Sequence, residues 1–253
     1  MTAPHRPVVL IPSRLQASRL PGKPLADING SPMIVHVWRR AVECDLGPVV
    51  VACAQEEIAD AVRSAGGEAV LTDPDLLTGS DRIHAALGII DPESLHDAVV
   101  NIQGDLPVLD PHTVRAALAL LETEGVDIGT VAAEITREEE RDSPSVVKAV
   151  VAWQQDGRRG RALYFSRAEV PTGEGPLFHH IGLYAYRRTA LERFVGLPRG
   201  VLERREMLEQ LRALEAGMRI DVARVDSVPL GVDIPADLER ARQLLADPGA
   251  SPD

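Results

Sequence analysis

Four side chains define the chemistry open to this chain: Arg14, Lys23, Asp105 and Asp233. Two cations near the amino terminus and two loop carboxylates far apart in sequence can together hold a nucleoside triphosphate and its magnesium. The cations lie in IPSRLQASRLPGKPLADING, residues 11–30, directly after a short β-branched run. That segment is too rich in Pro, Gly and Arg for a plain strand or helix, and it reads as a phosphate-handling loop. Arg14 and Arg19 offer planar forks of donors, and Lys23 offers a compact cation able to follow a moving phosphate. Gly22 permits close backbone approach, while Pro21 and Pro24 restrict the loop before anything binds. The spacing is neither the GxxxxGKS/GxxxxGKT phosphate loop nor the dinucleotide fingerprint, so an arginine-rich surface turn is the competing reading.

Asp105 follows an apolar strand through Gly104, a place where open α/β sheets commonly present ligand groups. Asp233 follows Gly231 near the start of a late helix. Two separated loop carboxylates suit magnesium, a hard cation that combines a few protein oxygens with substrate phosphates. The structural alternatives are an Asx turn at Asp105 and a helix cap at Asp233 ahead of Pro235.

The elements that must position these groups alternate. Strands are expected at Val8–Ile11, Val49–Cys53, Glu68–Leu71 and Ala98–Ile102. Helices are expected from Pro32 toward Cys44, over Glu56–Ala65, and over Ser80–Ile90. The repeated order of strand, loop and helix predicts an α/β fold with a mostly parallel mixed sheet and helices on both faces. Pro111–Thr123 reads as helix and Ile128–Ala132 as strand. The pattern then changes to Val146–Trp153, a turn at Asp156-Gly157 and Ala162–Phe165, which predicts a small antiparallel lobe. Residues 171–177 form a tight or flexible loop, followed by a strand at Ile181–Tyr186 and helices over Thr189–Val195 and Leu202–Ala216. A last strand at Ile220–Val225 precedes the helix that begins near Pro235. With no internal repeat and no domain-sized linker, residues 1–253 are expected to form one domain, with residues 132–200 as an inserted acceptor and dimerisation lobe.

Composition narrows the function. The chain has 253 residues, 45% of them hydrophobic, and can bury a substantial core. Its formal net charge of −11 argues against coating a nucleic acid, which requires a continuous basic surface, but leaves room for one focused nucleotide pocket. No apolar stretch reads as a signal peptide or membrane span, so a cytosolic protein without a membrane partner is expected. Cys44 and Cys53 lack metal-ligand spacing and read as buried small side chains. Adjacent His179 and His180 have no evident third ligand for zinc.

Together with the loop and the two aspartates, the segments IPSRLQASRLPGKPLADINGSPMIVHV, TGSDR, VNIQGDLP, ALYFSRAEVP, HHIGLYAYRR, LERREMLEQLR and GVDIPADLER occur in order over nearly the whole chain. In these motifs the sequence resembles the 3-deoxy-manno-octulosonate (Kdo) cytidylyltransferases, or CMP-Kdo synthetases, of the nucleotide-diphospho-sugar-transferase-like fold. The resemblance implies transfer of CMP from CTP to the anomeric C2 hydroxyl of an acidic sugar, with release of pyrophosphate and magnesium as cofactor. It also implies a homodimer. Arg14 and Lys23 would contact the triphosphate, Ser13 and Arg19 would shape the loop, and Arg82 and Gln103 would approach nucleotide and acceptor. Asp105 and Asp233 would be magnesium ligands, and His180, Tyr184, Glu203 and Glu206 would meet the acceptor. Read without the family, Tyr184 is a core aromatic, and Glu203 and Glu206 a solvated helix face.

Three departures fall on the acceptor side. Leu106 stands where the family has Glu in QGDEP, residues 172–177 compress a longer segment, and His179 replaces an Arg. They motivate a second reading, a cytidylyltransferase for phosphonoformate or another small phosphonate. A third, from another class, is a CTP-binding scaffold without turnover.

Overall fold

A computed structural model describes residues 4, 6–16 and 19–246. The chain divides into two compact units, the first formed by His5–Val114 with Pro229–Asp253 and the second chiefly by Arg115–Val228. Ala17 and Ser18 of the phosphate-like loop lie outside the described residues.

The first unit begins with β1 (Pro7–Ser13), whose residues from Val8 onward are all buried. After the loop come two short strands, β2 (Asp27–Ile28) and β3 (Ser31–Pro32), and helix α1 (Met33–Val42). Pro32 caps α1 from outside, so the helix starts one residue later than its sequence suggests. β4 (Val49–Cys53), α2 (Glu56–Ser64), β5 (Glu68–Leu71), α3 (Gly79–Ile90) and β6 (Ala98–Asn101) follow. β1 pairs in parallel with β4 and β6, and β4 pairs in parallel with β5. The buried apolar runs Val8–Ile11 of β1 and Val50–Cys53 of β4 are what this requires, because an interior parallel strand is covered on both faces. α3 is started by Thr78 and Asp81: the Thr78 hydroxyl accepts from the Asp81 N–H at 3.1 Å, and the Asp81 carboxylate accepts from the Thr78 N–H at 3.2 Å. Helix α4 (Pro111–Ala119) then leads out of this unit.

The second unit contains β7 (Ile128–Glu134), β8 (Lys148–Trp153), β9 (Arg159–Ser166), β10 (Phe178–Arg187), helices α5 (Arg188–Val195), α6 (Val201–Glu206) and α7 (Leu211–Glu215), and β11 (Ile220–Val225). The final helix, α8 (Pro235–Ala246), belongs to the first unit.

The expectation of a mostly parallel sheet is wrong. In the second unit β10 runs antiparallel to β7 and β8, β9 runs antiparallel to β8 and β11, and only β11 with β7 is parallel. Followed around, the pairings run β10, β7, β11, β9, β8 and back to β10, closing a small barrel that leaves no free edge. The sheet structure of the chain is therefore largely antiparallel. Mainly apolar runs such as Ile128–Ala133 and Ile220–Ala223 are buried along their whole length, and burial alone makes such runs look like parallel strands.

Two local features shape the barrel. The β10 to β7 register shifts between Ile181 and Tyr184, and the Thr130 hydroxyl donates to the Leu183 carbonyl at 2.7 Å, compensating the interrupted ladder. Lys148 is fully buried, and its ammonium donates to the carbonyls of Ser143, Val146 and Arg167 at 2.9, 2.8 and 2.8 Å. The expected Leu202–Ala216 helix is broken into α6 and α7 at Met207, whose φ of 55° is left-handed. Among the described residues no helix is long and apolar enough to cross a membrane.

Gly129 on β7 has no room for a side chain, since a Cβ there would stand 2.2 Å from the Ala117 carbonyl oxygen. Gly129→Ala should therefore lower unfolding free energy by about 2 kcal/mol through forced backbone shifts. An unchanged urea midpoint would show that α4 and β7 are not packed this closely.

Candidate active site

The loop that leaves β1 is held by its own backbone. The Gly22 N–H donates to the Leu15 carbonyl at 3.3 Å, and the Lys23 N–H to the Leu20 carbonyl at 3.1 Å. Gly22 adopts φ 69°, a left-handed conformation suited to glycine, and Lys23–Leu25 then form one turn of 3-10 helix with Pro24 buried. This fixes the Lys23 backbone and leaves its four-carbon stem to direct the ammonium.

The ammonium lies between the two aspartates. Lys23 Nζ is 2.8 Å from Asp105 Oδ2 and 3.1 Å from Asp233 Oδ1, and Arg19 Nη2 is 2.9 Å from Asp233 Oδ2. The Lys23 side chain is 15% exposed. Burial alone would pull its pKa down, but Asp105 and then Asp233 outweigh that effect and hold the ammonium above its ordinary value.

Backbone contacts bring the carboxylates together. The Val232 N–H donates to the Asp105 carbonyl at 2.9 Å, and Val232 is buried in a cluster with Ile28, Met33, Leu238 and Ala241. The start of α8 is capped by Asp237, whose Oδ2 accepts from the N–H groups of Asp233 and Ile234 at 2.9 and 3.0 Å. The Asp233 carboxylate, one sequence candidate for that cap, instead faces Lys23 and Arg19. Gly104 permits close passage, because a Cβ there would meet the Pro12 carbonyl oxygen at 2.8 Å. Leu106 is buried and its side chain lies beside Gly231, so the residue that departs from QGDEP packs the interior.

Next to this cluster is a cavity of about 290 Å³ lined by Ser13, Arg14, Gln16, Lys23, Leu76, Leu77, Thr78, Gly79, Arg82, Gln103 and Asp105, among others. Ser13 Oγ is buried in that wall without a hydrogen-bond partner. Arg82 is buried too, and it donates to Thr72 Oγ1 at 2.6 Å and to the carbonyls of Asp73 and Leu76 at 3.1 and 3.5 Å. Its guanidinium thus holds the 72–78 segment that forms one side of the cavity. Gln16, Gly79 and the Leu76–Thr78 stretch also line the cavity and are not among the candidates named from the sequence. The capping pattern Thr78-x-x-Asp81 was the available signal, since it places a helix start and its free N–H groups at the cavity.

The donor set fits magnesium. Two hard carboxylates point at one cation position, shown by the ammonium they share, and among the described residues no group of three or more His, Cys, Asp or Glu forms a closed cage. A pair of carboxylates that leaves other positions to phosphate oxygens and water is the arrangement this ion favours.

The remaining predicted site residues lie in the second unit. Glu203 is 2% exposed and receives a two-pronged pair from Arg212 at 2.8 and 2.9 Å, with Arg199 at 3.0 Å. Burial disfavours its charge, yet the bonds from Arg212 and Arg199 hold its carboxyl below the ordinary range. Glu206 accepts from Ser166 Oγ at 2.8 Å, the Arg167 N–H at 2.9 Å and the Tyr164 hydroxyl at 3.3 Å. Neither is a freely solvated helix carboxylate. Tyr184 packs on His180 and Tyr186, with ring centroids 5.6 and 5.8 Å apart. His179 lies with Nδ1 3.6 Å from Glu140 Oε2.

His180 is buried against Phe165, with ring centroids 4.6 Å apart. The Thr130 hydroxyl donates its proton to the Leu183 carbonyl, so it accepts from His180 Nε2 at 3.0 Å; Nδ1 then faces the Gln210 amide at 3.5 Å. This network selects a neutral imidazole. Burial, with His179 alongside, pushes its pKa down from 6.5 to about 3.

Comparison with known proteins places this geometry. A family profile described as Cytidylyltransferase matches residues 8–220. The 3-deoxy-manno-octulosonate cytidylyltransferase of Paramagnetospirillum magneticum is 66% identical over 239 residues, covering 94% of this chain and 97% of that protein. That of Rhodospirillum centenum is 66% identical over 252 residues, covering 99% and 98%. A solved CMP:2-keto-3-deoxy-manno-octonic acid synthetase complexed with CTP superposes with a TM-score of 0.88 at 37% identity, over 96% of this chain and 99% of the other.

The depressed His180 pKa has a stability consequence. The unfolded chain takes up this proton first, so the His180 contribution is complete above about pH 6.5 and is lost progressively as pH falls toward 3. Between pH 7 and 4.5 the loss is about 2 to 3 kcal/mol. His180→Gln, which carries no titrating proton, should lose correspondingly less in urea unfolding over that interval. Equal losses in both proteins would reject a neutral buried His180.

Proposed function

Because the chain belongs to the 3-deoxy-manno-octulosonate cytidylyltransferase family, we propose that it transfers CMP from CTP to the C2 hydroxyl of Kdo, using the first unit's cavity for the nucleotide. The observation that carries this reading is the convergence of Asp105 and Asp233 on one cation beside a cavity lined by Arg14 and Gln103.

In the proposed reaction the acceptor oxygen forms a bond to the α-phosphorus of CTP and the bond from that phosphorus to pyrophosphate breaks. The hydroxyl proton leaves to solvent or a nearby base, and no covalent enzyme intermediate is needed. Arg14 and Arg19 bind triphosphate oxygens through their planar donor forks, and Lys23 neutralises charge that grows as pyrophosphate departs. Ser13, with its free buried hydroxyl, and Gln103 orient the nucleotide and acceptor. Arg82 acts as a positioning residue by holding the 72–78 segment. Asp105 and Asp233 would hold magnesium, which when bound supplies charge neutralisation across the phosphates and the departing pyrophosphate. Of the acceptor residues that the family resemblance implies in the second unit, Tyr184 would recognise the acceptor, His180, with both ring nitrogens engaged by Thr130 and Gln210, positions that ring, and Glu203 and Glu206 fix neighbouring segments. We also infer a homodimer from the family resemblance.

The small-phosphonate reading drew on Leu106, the 172–177 segment and His179. The interior packing of Leu106 gives that residue a role independent of the acceptor, and the chain remains 66% identical to relatives named for the sugar acid. CTP with freshly prepared Kdo should release pyrophosphate and yield CMP-Kdo by mass, whereas phosphonoformate should not substitute. The reverse selectivity would overturn the acceptor. Asp105→Asn should lower kcat on the order of 100-fold through lost charge organisation, and an unchanged kcat would reject its assignment.

A further inference from the structure

Lys23 is placed in two roles that it cannot fill at once. As a triphosphate ligand its ammonium must face phosphate oxygens, yet in the structure it bridges Asp105 and Asp233 at 2.8 and 3.1 Å, the same carboxylates assigned to the metal. We propose that Lys23 is a built-in competitor of the divalent cation, so that metal and nucleotide load as a coupled pair: the metal takes the two carboxylates as the triphosphate takes the ammonium. The inference rests on the reading of Asp105 and Asp233 as metal ligands.

Charge and solvation carry it. Two carboxylates face one ammonium and, through Asp233, the Arg19 guanidinium, so the cluster is already neutral. A metal ion entering alone would place two positive charges beside Lys23 and remove both its carboxylate partners. The Lys23 side chain is only 15% exposed, and a largely buried ammonium without an anionic partner is costly. The triphosphate removes that penalty by offering the ammonium new anionic oxygens. Movement can be confined to the stem, because Gly22 and the 3-10 turn hold the backbone. The coupling is reciprocal, so each ligand strengthens the other by the same factor.

Two measurements on the full chain test this without reading turnover. The first is manganese binding by electron paramagnetic resonance in the absence of nucleotide. Lys23→Met should bind manganese at least about tenfold more tightly than the unmodified protein, because the competing charge is gone. Lys23→Gln should do the same, and Asp105→Asn added to Lys23→Met should abolish the gain. Equal manganese affinity with and without Lys23, in variants with unchanged melting temperature, would overturn the competition. If manganese binding in the presence of a non-hydrolysable CTP analogue is indifferent to both Asp105→Asn and Asp233→Asn, the underlying metal reading fails instead, and the inference with it.

The second uses the fact that Lys23 and Lys148 are the only lysines. Labelling lysine at Cε with carbon-13 should give two signals. Magnesium with the CTP analogue should shift the Lys23 signal, while Lys148, enclosed by three carbonyls, serves as the internal reference. A Lys23 signal that stays fixed at saturation would overturn the proposal independently of any substitution.

Discussion

The ammonium of Lys23 between Asp105 and Asp233 is the interaction on which the candidate site depends. It draws residues separated by 82 and 210 positions in the chain to one point, and three different segments of the first unit must be in register for it to form. Opposite charges at this distance in a half-buried setting attract strongly, but none of the groups is fully removed from water, so desolvation does not cancel the attraction. An arrangement of this kind stores little strain and can exchange one cation for another.

The surrounding structure serves that exchange. The bond from Val232 to the Asp105 carbonyl ties the two acidic loops together, and the capping carboxylate of Asp237 leaves Asp233 available. Arg82 braces the 72–78 wall of the cavity through backbone carbonyls and Thr72. The second unit is organised on a different principle. Its closed barrel satisfies its own edges, Glu206, Lys148 and Thr130 complete the hydrogen bonding of irregular segments between or within strands, and Glu203 is paired with Arg212 across two helices.

The parts legible in the sequence are those where charge, proline and glycine interrupt an apolar run. The 11–30 loop, Gln103-Gly104-Asp105 and Gly231-Val232-Asp233 could be identified because a strand or helix cannot absorb such residues, and their chemistry is local. Beyond the small antiparallel lobe expected around Val146–Phe165, the barrel was not legible, since Ile128–Ala132 is buried throughout and hydrophobicity carries no sign of strand direction. The break at Met207 was hidden for a similar reason: the apolar spacing of Leu202–Ala216 continues through it, and a left-handed methionine leaves no compositional mark. Spacing also could not separate Asp233 from Asp237 as the helix cap, nor a scaffolding Arg82 from a ligand-binding one, because those roles depend on partners distant in sequence.

The most direct test of the account is a crystal structure of the enzyme with manganese and a non-hydrolysable CTP analogue, with the metal located by anomalous scattering. The account predicts manganese bound by Asp105 and Asp233, the analogue in the cavity beside Arg14, and Lys23 Nζ moved from the carboxylates to a phosphate oxygen. Manganese bound away from both aspartates, or Lys23 still bridging them with nucleotide and metal in place, would contradict it.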